Sequence, residues 1–298
     1  MKAMLTHHHD TPKPPGRAVV LGGGGVVGSA VVAVLQEHGT EVVAPRSGEL
    51  DLAGDGAGRA LAKLLRPDDA LVVLAALTPD KGRDIATFMK NLNMMAAVCG
   101  ALEQNPGGHI VYMSSDAVYP MTPGLTNEAS PAAPPDLYGT MHRAREIMCA
   151  DAAKDVPLAV LRCTLVSAAT DSHNSYGPNR FRRLAADGGV ITLGGEGEET
   201  RDHIMVWDVA EIVRLVVAHR SAGLVNVATG TSASFREVAE LVAANFDPPA
   251  EVKFTDRTGA ITHRHFDTTQ LRQAFPELRL TPLAEGLARV HRESMGQA

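Results

Sequence analysis

Seven consecutive residues constrain this chain more than any others: Gly22-Gly23-Gly24-Gly25-Val26-Val27-Gly28. They satisfy GxGxxG through Gly23, Gly25 and Gly28, and equally GxxGxxG through Gly22, Gly25 and Gly28. Residues 17–21 form a short apolar run entering the cluster, and residues 26–37 continue with Ala, Val, Leu and Gln before stopping at Gly39. That order reads as strand, tight turn, helix. Without side chains the turn can bring its backbone against a pyrophosphate, whose charge meets free N–H groups at the helix N-terminus, those of Val26 and Val27 among them. In this context the motif predicts a dinucleotide site.

The same alternation carries on downstream. Residues 41–44 read as a second strand, 58–65 as a helix, and 70–76 as a continuous apolar strand buried on both faces. A helix over 83–103, a strand over 109–114, a helix over 137–153 and a strand over 158–166 follow. Strands and helices alternating at these lengths predict an α/β fold, a doubly wound parallel (Rossmann) sheet with its ligand crevice at the strands' carboxyl ends. After residue 166 the pattern loosens, with a helix over 207–219, a short strand over 225–228 and a helix over 234–245. The expected division is a flexible leader over 1–16, a dinucleotide-binding domain over 17–166 to which 203–229 return, and a smaller interleaved C-terminal substrate lobe from 167–202 and 230–298. The leader carries His7, His8, His9 and three prolines and is expected to be solvated.

Composition narrows the partners. A net charge of −6 gives no general attraction to phosphate backbones or anionic membranes, so nucleic acid is not expected as a ligand. No apolar run approaches the roughly 20 residues that span a bilayer. Cys99, Cys149 and Cys163 are far apart, odd in number and without metal-type spacing, which reads as reduced thiols in a cytoplasmic protein with no metal site. The second strand ends in Ala44-Pro45-Arg46-Ser47, lacking the acidic residue that would bind an adenosine ribose 2′-hydroxyl. Arg46 and Ser47 could hold a 2′-phosphate instead, so NADP is favoured over NAD.

The glycine turn is followed in order by Glu49-Leu50-Asp51-Leu52, Leu74-Ala75-Ala76, Asn91, Ser114-Ser115-Asp116-Ala117-Val118-Tyr119, Tyr138-Gly139, Arg201-Asp202-His203-Ile204 and Asp208-Val209-Ala210. Over residues 17–285 this series resembles the extended short-chain dehydrogenase/reductase family, the NAD(P)-dependent sugar-nucleotide epimerases, dehydratases and ketoreductases. The resemblance implies that Asp51 and Leu52 contact the adenine, that Ala75 and Ala76 pass beneath the cofactor, and that Asn91 supports the active-site helix. Ser115 would donate to a substrate oxygen with Asp116 beside it on the substrate side, and Tyr138 would be the acid/base. The family places a lysine four residues after that tyrosine to stabilise its phenolate; this chain has His142. Three readings follow: His142 is charged and replaces the lysine, it relays protons, or redox turnover has been lost. Arg143 and Arg145 are further sources of charge, with Arg143 pointing off the tyrosine's face.

On the substrate side the family binds a nucleoside diphosphate with the segment after the last core strand and with the Arg-Asp pair. Here Asn174, Asn179, Arg180 and Arg201 are the matching candidates, with fork-shaped guanidinium groups suited to phosphate oxygens. The resemblance also implies a homodimer packed through the helices of 83–103 and 137–153. Two functions stand against each other. One is an NAD(P)-dependent enzyme acting on a nucleotide-linked or related sugar, and the other a cofactor-binding regulator whose chemistry the histidine has altered.

Overall fold

The computed structural model describes residues 4–154, 156–171 and 177–296. Strand β1 (Arg17–Leu21) is buried at every position, and the chain leaves it through Gly22 into helix α1 (Val26–Glu37). Next come β2 (Glu41–Val43), α2 (Ala57–Leu64), β3 (Ala70–Val73), α3 (Ile85–Gln104), β4 (His109–Ser115), β5 (Leu125–Thr126), α4 (Leu137–Ala153) and β6 (Leu158–Cys163). The remainder holds β7 (Leu165–Ser167), α5 (Pro178–Gly188), β8 (Val190–Gly194), β9 (Thr200–Met205), α6 (Val206–Ala218), β10 (Gly223–Val227) and β11 (Ser232–Ser234). It closes with α7 (Phe235–Ala243), β12 (Glu251–Thr255), β13 (His265–Phe266), α8 (Thr269–Ala274) and α9 (Leu283–Ser294).

Six strands pair in parallel in the order β10-β6-β4-β3-β1-β2, which is the doubly wound sheet expected. Its direction of winding reverses between β1 and β3, and at such a switch point a crevice opens beyond the strands' carboxyl ends. Both faces are covered. Ala18 and Val20 of β1 join a core with α1 and α6, whereas Val19 and Leu21 join one with α2, α3 and α4. Beyond Arg17, which pairs with Asp69, the strand is apolar, and split this way by its period of two it has no solvated face, which is why it shows no polar alternation.

A separate apolar cluster, including Phe181, Ile191, Leu193, Val238, Val242 and Leu287, holds α5, α7, α9 and β8 together. Beside it lie a three-stranded sheet, β11-β9-β7, and the two pairs β12-β8 and β13-β5.

Three sequence expectations change here. The single strand over 158–166 is two: Thr164 sends its N–H to Val227 O and its hydroxyl to Asp202 O, and the chain crosses from the large sheet to the small one. Residues 4–13 are largely exposed yet not a loose leader, because Thr6 bridges Ala222 and the His7 ring fills a gap between α6 and α8. That ring bonds Ser221 Oγ at 2.8 Å and Ala274 O at 2.9 Å and stacks on His219. Finally, α3 spans 20 residues and is apolar enough, by length and composition, to cross a membrane. Lys90, Asn91 and Asn93 interrupt its sequence and hid this, and the helix packs between α2 and α4.

Candidate active site

The glycine corner is built by exclusion. Gly22 has φ +88°, and a Cβ on it would lie 2.7 Å from Ala75 N, so the turn after β1 and the loop after β3 touch backbone to backbone. A Cβ on Gly28 would fall 2.0 Å from Gly22 O, so only glycine lets α1 start this close to the turn. A Cβ on Gly23 would meet Ala44 at 2.7 Å, whereas Gly24 has open space around it. Gly25 is the N-cap of α1, with no capping side chain and no acidic residue in the first turn, which leaves the amides of the first turn for a ligand. Bare backbone, an uncapped helix N-terminus and a switch point together fit a pyrophosphate.

Around this corner the remaining cofactor candidates divide. Arg46 and Ser47 are exposed, and among the described residues the Arg46 guanidinium forms no ion pair. Asp51 is exposed and accepts from Ala53 N at 3.0 Å, while Leu52 is buried against the core of α2 and α3. Ala75 lies against Gly22, with Ala76 next in the same loop. Asn91 does not reach the crevice as a ligand contact. Its Oδ1 accepts from Leu77 N at 2.8 Å and its Nδ2 donates to Leu77 O at 3.0 Å and Thr87 O at 3.3 Å. With both ends of the amide engaged, it fastens the loop after β3 onto α3.

Ser115 ends β4 at the sheet's carboxyl edge, and its Oγ accepts from Ala117 N at 3.1 Å to start a short 3-10 turn. Helix α4 begins against that turn, its first amides capped by Asp136, which accepts from Gly139 N at 2.8 Å. A Cβ on Gly139 would lie 2.1 Å from Ala117 O. The missing side chain therefore seats the first turn of α4, and half-buried Tyr138 with it, against the residues that follow Ser115.

His142 lies one turn on, with the Tyr138 ring edge-on to it at 4.8 Å between centroids. It is buried, and its Nδ1 pairs with the Tyr112 hydroxyl at 2.9 Å. Burial, reinforced by the Arg145 charge, pushes its pKa down to about 3, so the imidazole is neutral at pH 7. That enclosure works against an imidazolium in the lysine's place, the first of the three readings. Below it, Glu146 clamps α4 to the sheet. Its carboxylate takes Arg162 Nε and Nη2 at 2.8 and 2.7 Å, the Ser114 hydroxyl at 2.7 Å and Arg143 Nη1 at 2.9 Å.

On the substrate side, burial raises the Asp116 pKa while Arg264 and Arg201 oppose the shift. Arg264, which sequence reasoning missed, is buried and donates to the carbonyl oxygens of Asp116 and Tyr119, joining the two lobes. Arg201 is oriented by Thr262, with Nη1 on its carbonyl and Nη2 on its hydroxyl, each at 2.7 Å. The neighbouring Asp202 is buried and caps Thr229 and Gly230, and burial outweighs those bonds to leave its pKa at about 6. Arg180 stands exposed at the start of α5. Asn179 does not present itself to a ligand: its Nδ2 donates to Asp171 Oδ2 at 2.5 Å and Val166 O at 3.3 Å, and its Oδ1 faces Ala168 N and the Ser167 hydroxyl. Asn174 lies outside the described residues.

A glycine corner at the switch point, with a serine and a tyrosine on the same carboxyl edge, defines a dinucleotide-binding Rossmann protein of the extended short-chain type. The chain belongs to the NAD dependent epimerase/dehydratase family, whose model matches residues 18–228. It is 28% identical over 171 residues to a trifunctional UDP-glucose 4,6-dehydratase/UDP-4-keto-6-deoxy-D-glucose 3,5-epimerase/UDP-4-keto-L-rhamnose-reductase of Arabidopsis thaliana, covering 52% of this chain and 24% of that one. To a UDP-glucose 4-epimerase of Mycolicibacterium smegmatis it is 26% identical over 241 residues, 75% of each. The chain thus spans only about a quarter of the plant relative's length. The fold matches a Thermus thermophilus UDP-glucose 4-epimerase solved with NAD, with a TM-score of 0.80 at 21% identity over 95% of this chain and 100% of that one.

Proposed function

We propose that the chain is an NAD(P)-dependent epimerase or dehydratase acting on a nucleotide-linked sugar, with Tyr138 as its acid/base. The observation that carries this reading is the seating of α4 by Gly139, which puts the tyrosine's turn against the one that Ser115 begins. The plant and mycobacterial relatives, both named for UDP-glucose chemistry, support the substrate class. Cofactor binding belongs to residues 17–166 with 203–229, and substrate binding to 167–202 and 230–298.

Bound at the glycine corner, the nicotinamide supplies a hydride acceptor or donor. The Tyr138 phenolate takes the proton of a sugar hydroxyl as its carbon is oxidised to a carbonyl, and returns it when the carbonyl is reduced. The Ser115 hydroxyl donates to the same oxygen, where charge develops. Arg201, fixed by Thr262, and Arg180 offer guanidinium groups to the diphosphate. Arg46, exposed and in no ion pair among the described residues, supports NADP over NAD.

Helix α3 leaves Ile85 and Met89 exposed, and α4 leaves Leu137 and Ile147. Those apolar side chains support a homodimer through α3 and α4. Three free cysteines fit a reducing, cytoplasmic setting.

The test is conversion of UDP-, dTDP- and GDP-linked hexoses, followed by the anomeric proton signals, with NAD or NADP present. Wild type converts at least one of them, and Tyr138→Phe is slower by about 100-fold or more while still binding cofactor. If wild-type protein leaves the whole panel untouched yet binds cofactor, the neutral His142 marks a cofactor-binding regulator instead.

A further inference from the structure

One charge in the core has no use in the scheme above. Arg145 is fully buried, at 0% exposure, yet no carboxylate among the described residues pairs with it. Burying a guanidinium without a counter-ion is costly. Its Nη2 donates to Ala75 O at 2.7 Å, its Nη1 rests 3.8 Å from Met141 Sδ, and its Nε has no partner. The guanidinium lies over the Tyr112 ring, 5.3 Å from its centroid.

These contacts give the charge a direction. Seven residues are about 10 Å of helix, but side chains lean towards the helix N-terminus, and the Met141 contact shows Arg145 doing so. Tyr138, His142 and Arg145 share one face of α4 at spacings of four and three. Arg145 covers Tyr112, Tyr112 bonds His142, and His142 meets the edge of Tyr138, so the four form one continuous array. At its other end the guanidinium is tied to the peptide that abuts Gly22. Cys99 of α3, Tyr112 of β4, and His142 and Cys149 of α4 are among the titratable groups that feel this charge. Arg143 is held by Glu146, itself shared with Arg162, so its charge is already met.

We propose that Arg145 is the fixed cation of the crevice, a positioning residue that favours the ionised Tyr138 phenol through the Tyr112 and His142 rings and anchors α4 to the cofactor floor. It delivers from the next helical turn the positive charge that neutral His142 does not. The inference rests on Tyr138 as the proton carrier.

The experiment follows tyrosinate formation by ultraviolet difference absorbance across alkaline pH, with NAD bound. Four tyrosines are present, so the Tyr138 transition is read by subtracting Tyr138→Phe in each background. Arg145→Gln removes the charge and keeps a polar side chain, though one that stops near the position of the arginine Nε, two bonds short of the Nη2 that donates to Ala75 O. The Tyr138 transition is expected to rise by about one pH unit, and to return on Arg145→Lys and on Arg145→Gln combined with His142→Lys. Where turnover is measurable, the Arg145→Gln loss falls in kcat rather than KM and shrinks at higher pH. An unmoved Tyr138 transition in folded Arg145→Gln overturns the proposal. Because the titration needs no substrate, a shifted phenol without any turnover would sink the enzymatic reading and leave this one standing.

Discussion

Replacing Glu146 with alanine removes the carboxylate that fastens α4 to the sheet. Arg162, 3% exposed, would then keep a full charge beside the Tyr119 ring with two donors suddenly unpaired. Breaking a buried ion pair by deleting one partner costs about 3 to 5 kcal/mol, a large part of the roughly 5 to 15 kcal/mol that holds a typical protein folded. At about 2 to 4 °C per kcal/mol the melting temperature falls by roughly 10 °C. Urea unfolding followed by far-ultraviolet circular dichroism measures the loss, and Glu146→Leu with Arg162→Met is the control. Removing both charges for apolar groups of similar size costs much less than removing one.

The dependence on pH has a definite sign. Burial alone would raise the Glu146 pKa, but Arg162, Ser114 and Arg143 outweigh it and hold it below the ordinary carboxylate value. A depressed carboxylate stabilises the fold fully above its unfolded pKa and ceases to do so as the pH falls through the folded one. The gap between wild type and Glu146→Ala therefore narrows at acid pH. A loss under about 1 kcal/mol at pH 7, or a double variant less stable than the single one, would mean that this ion pair does not hold α4 to the sheet.

Gly139→Ala puts a Cβ 2.1 Å from Ala117 O and should cost about 1 to 3 kcal/mol while lowering kcat disproportionately, because Tyr138 moves off the Ser115 edge; thermal melts and steady-state rates together check this. His142 has its pKa lowered by burial to about 3, so the unfolded chain binds its proton first and acid destabilises the fold from about pH 6.5 downward. His142→Gln should recover about 2 kcal/mol of the stability that wild type loses between pH 7 and pH 4.5, read from urea midpoints. Met89→Lys combined with Ile147→Glu should convert a dimer into a 31.5 kDa monomer by sedimentation velocity, and an unchanged sedimentation coefficient would remove α3 and α4 from the interface. Arg46→Ala should weaken NADP by about tenfold and leave NAD unaffected in fluorescence titrations.

The large sheet was legible because its central strands carry short apolar runs, buried on both faces, such as residues 18–21 and Ala70–Val73, and because a glycine cluster follows the first of them. The small lobe was not, since β7, β9 and β11 are three to six residues long and carry Ser, Thr, Arg and Asp where they pass between lobes. Residues 4–13 read as a tail because their anchor is tertiary: one His7 ring between two distant helices leaves no periodic trace. Candidate residues followed the same divide. Backbone-defined positions such as Gly22, Gly28 and Gly139 were visible in the sequence, whereas amides such as Asn91 and Asn179 turn inward once their neighbours are known. Arg145 was visible in the sequence as a further source of charge, but its full burial was not.

Calorimetric titration of NAD and NADP into wild type and Gly28→Ala asks whether backbone amides at the Gly22 to Gly28 corner hold a dinucleotide. A Cβ at residue 28 would sit 2.0 Å from Gly22 O and force that corner open. Saturable binding at one site per chain is expected in the wild type, and its loss in Gly28→Ala. Absence of any heat of binding with the wild type, or equal affinity in both proteins, would contradict it.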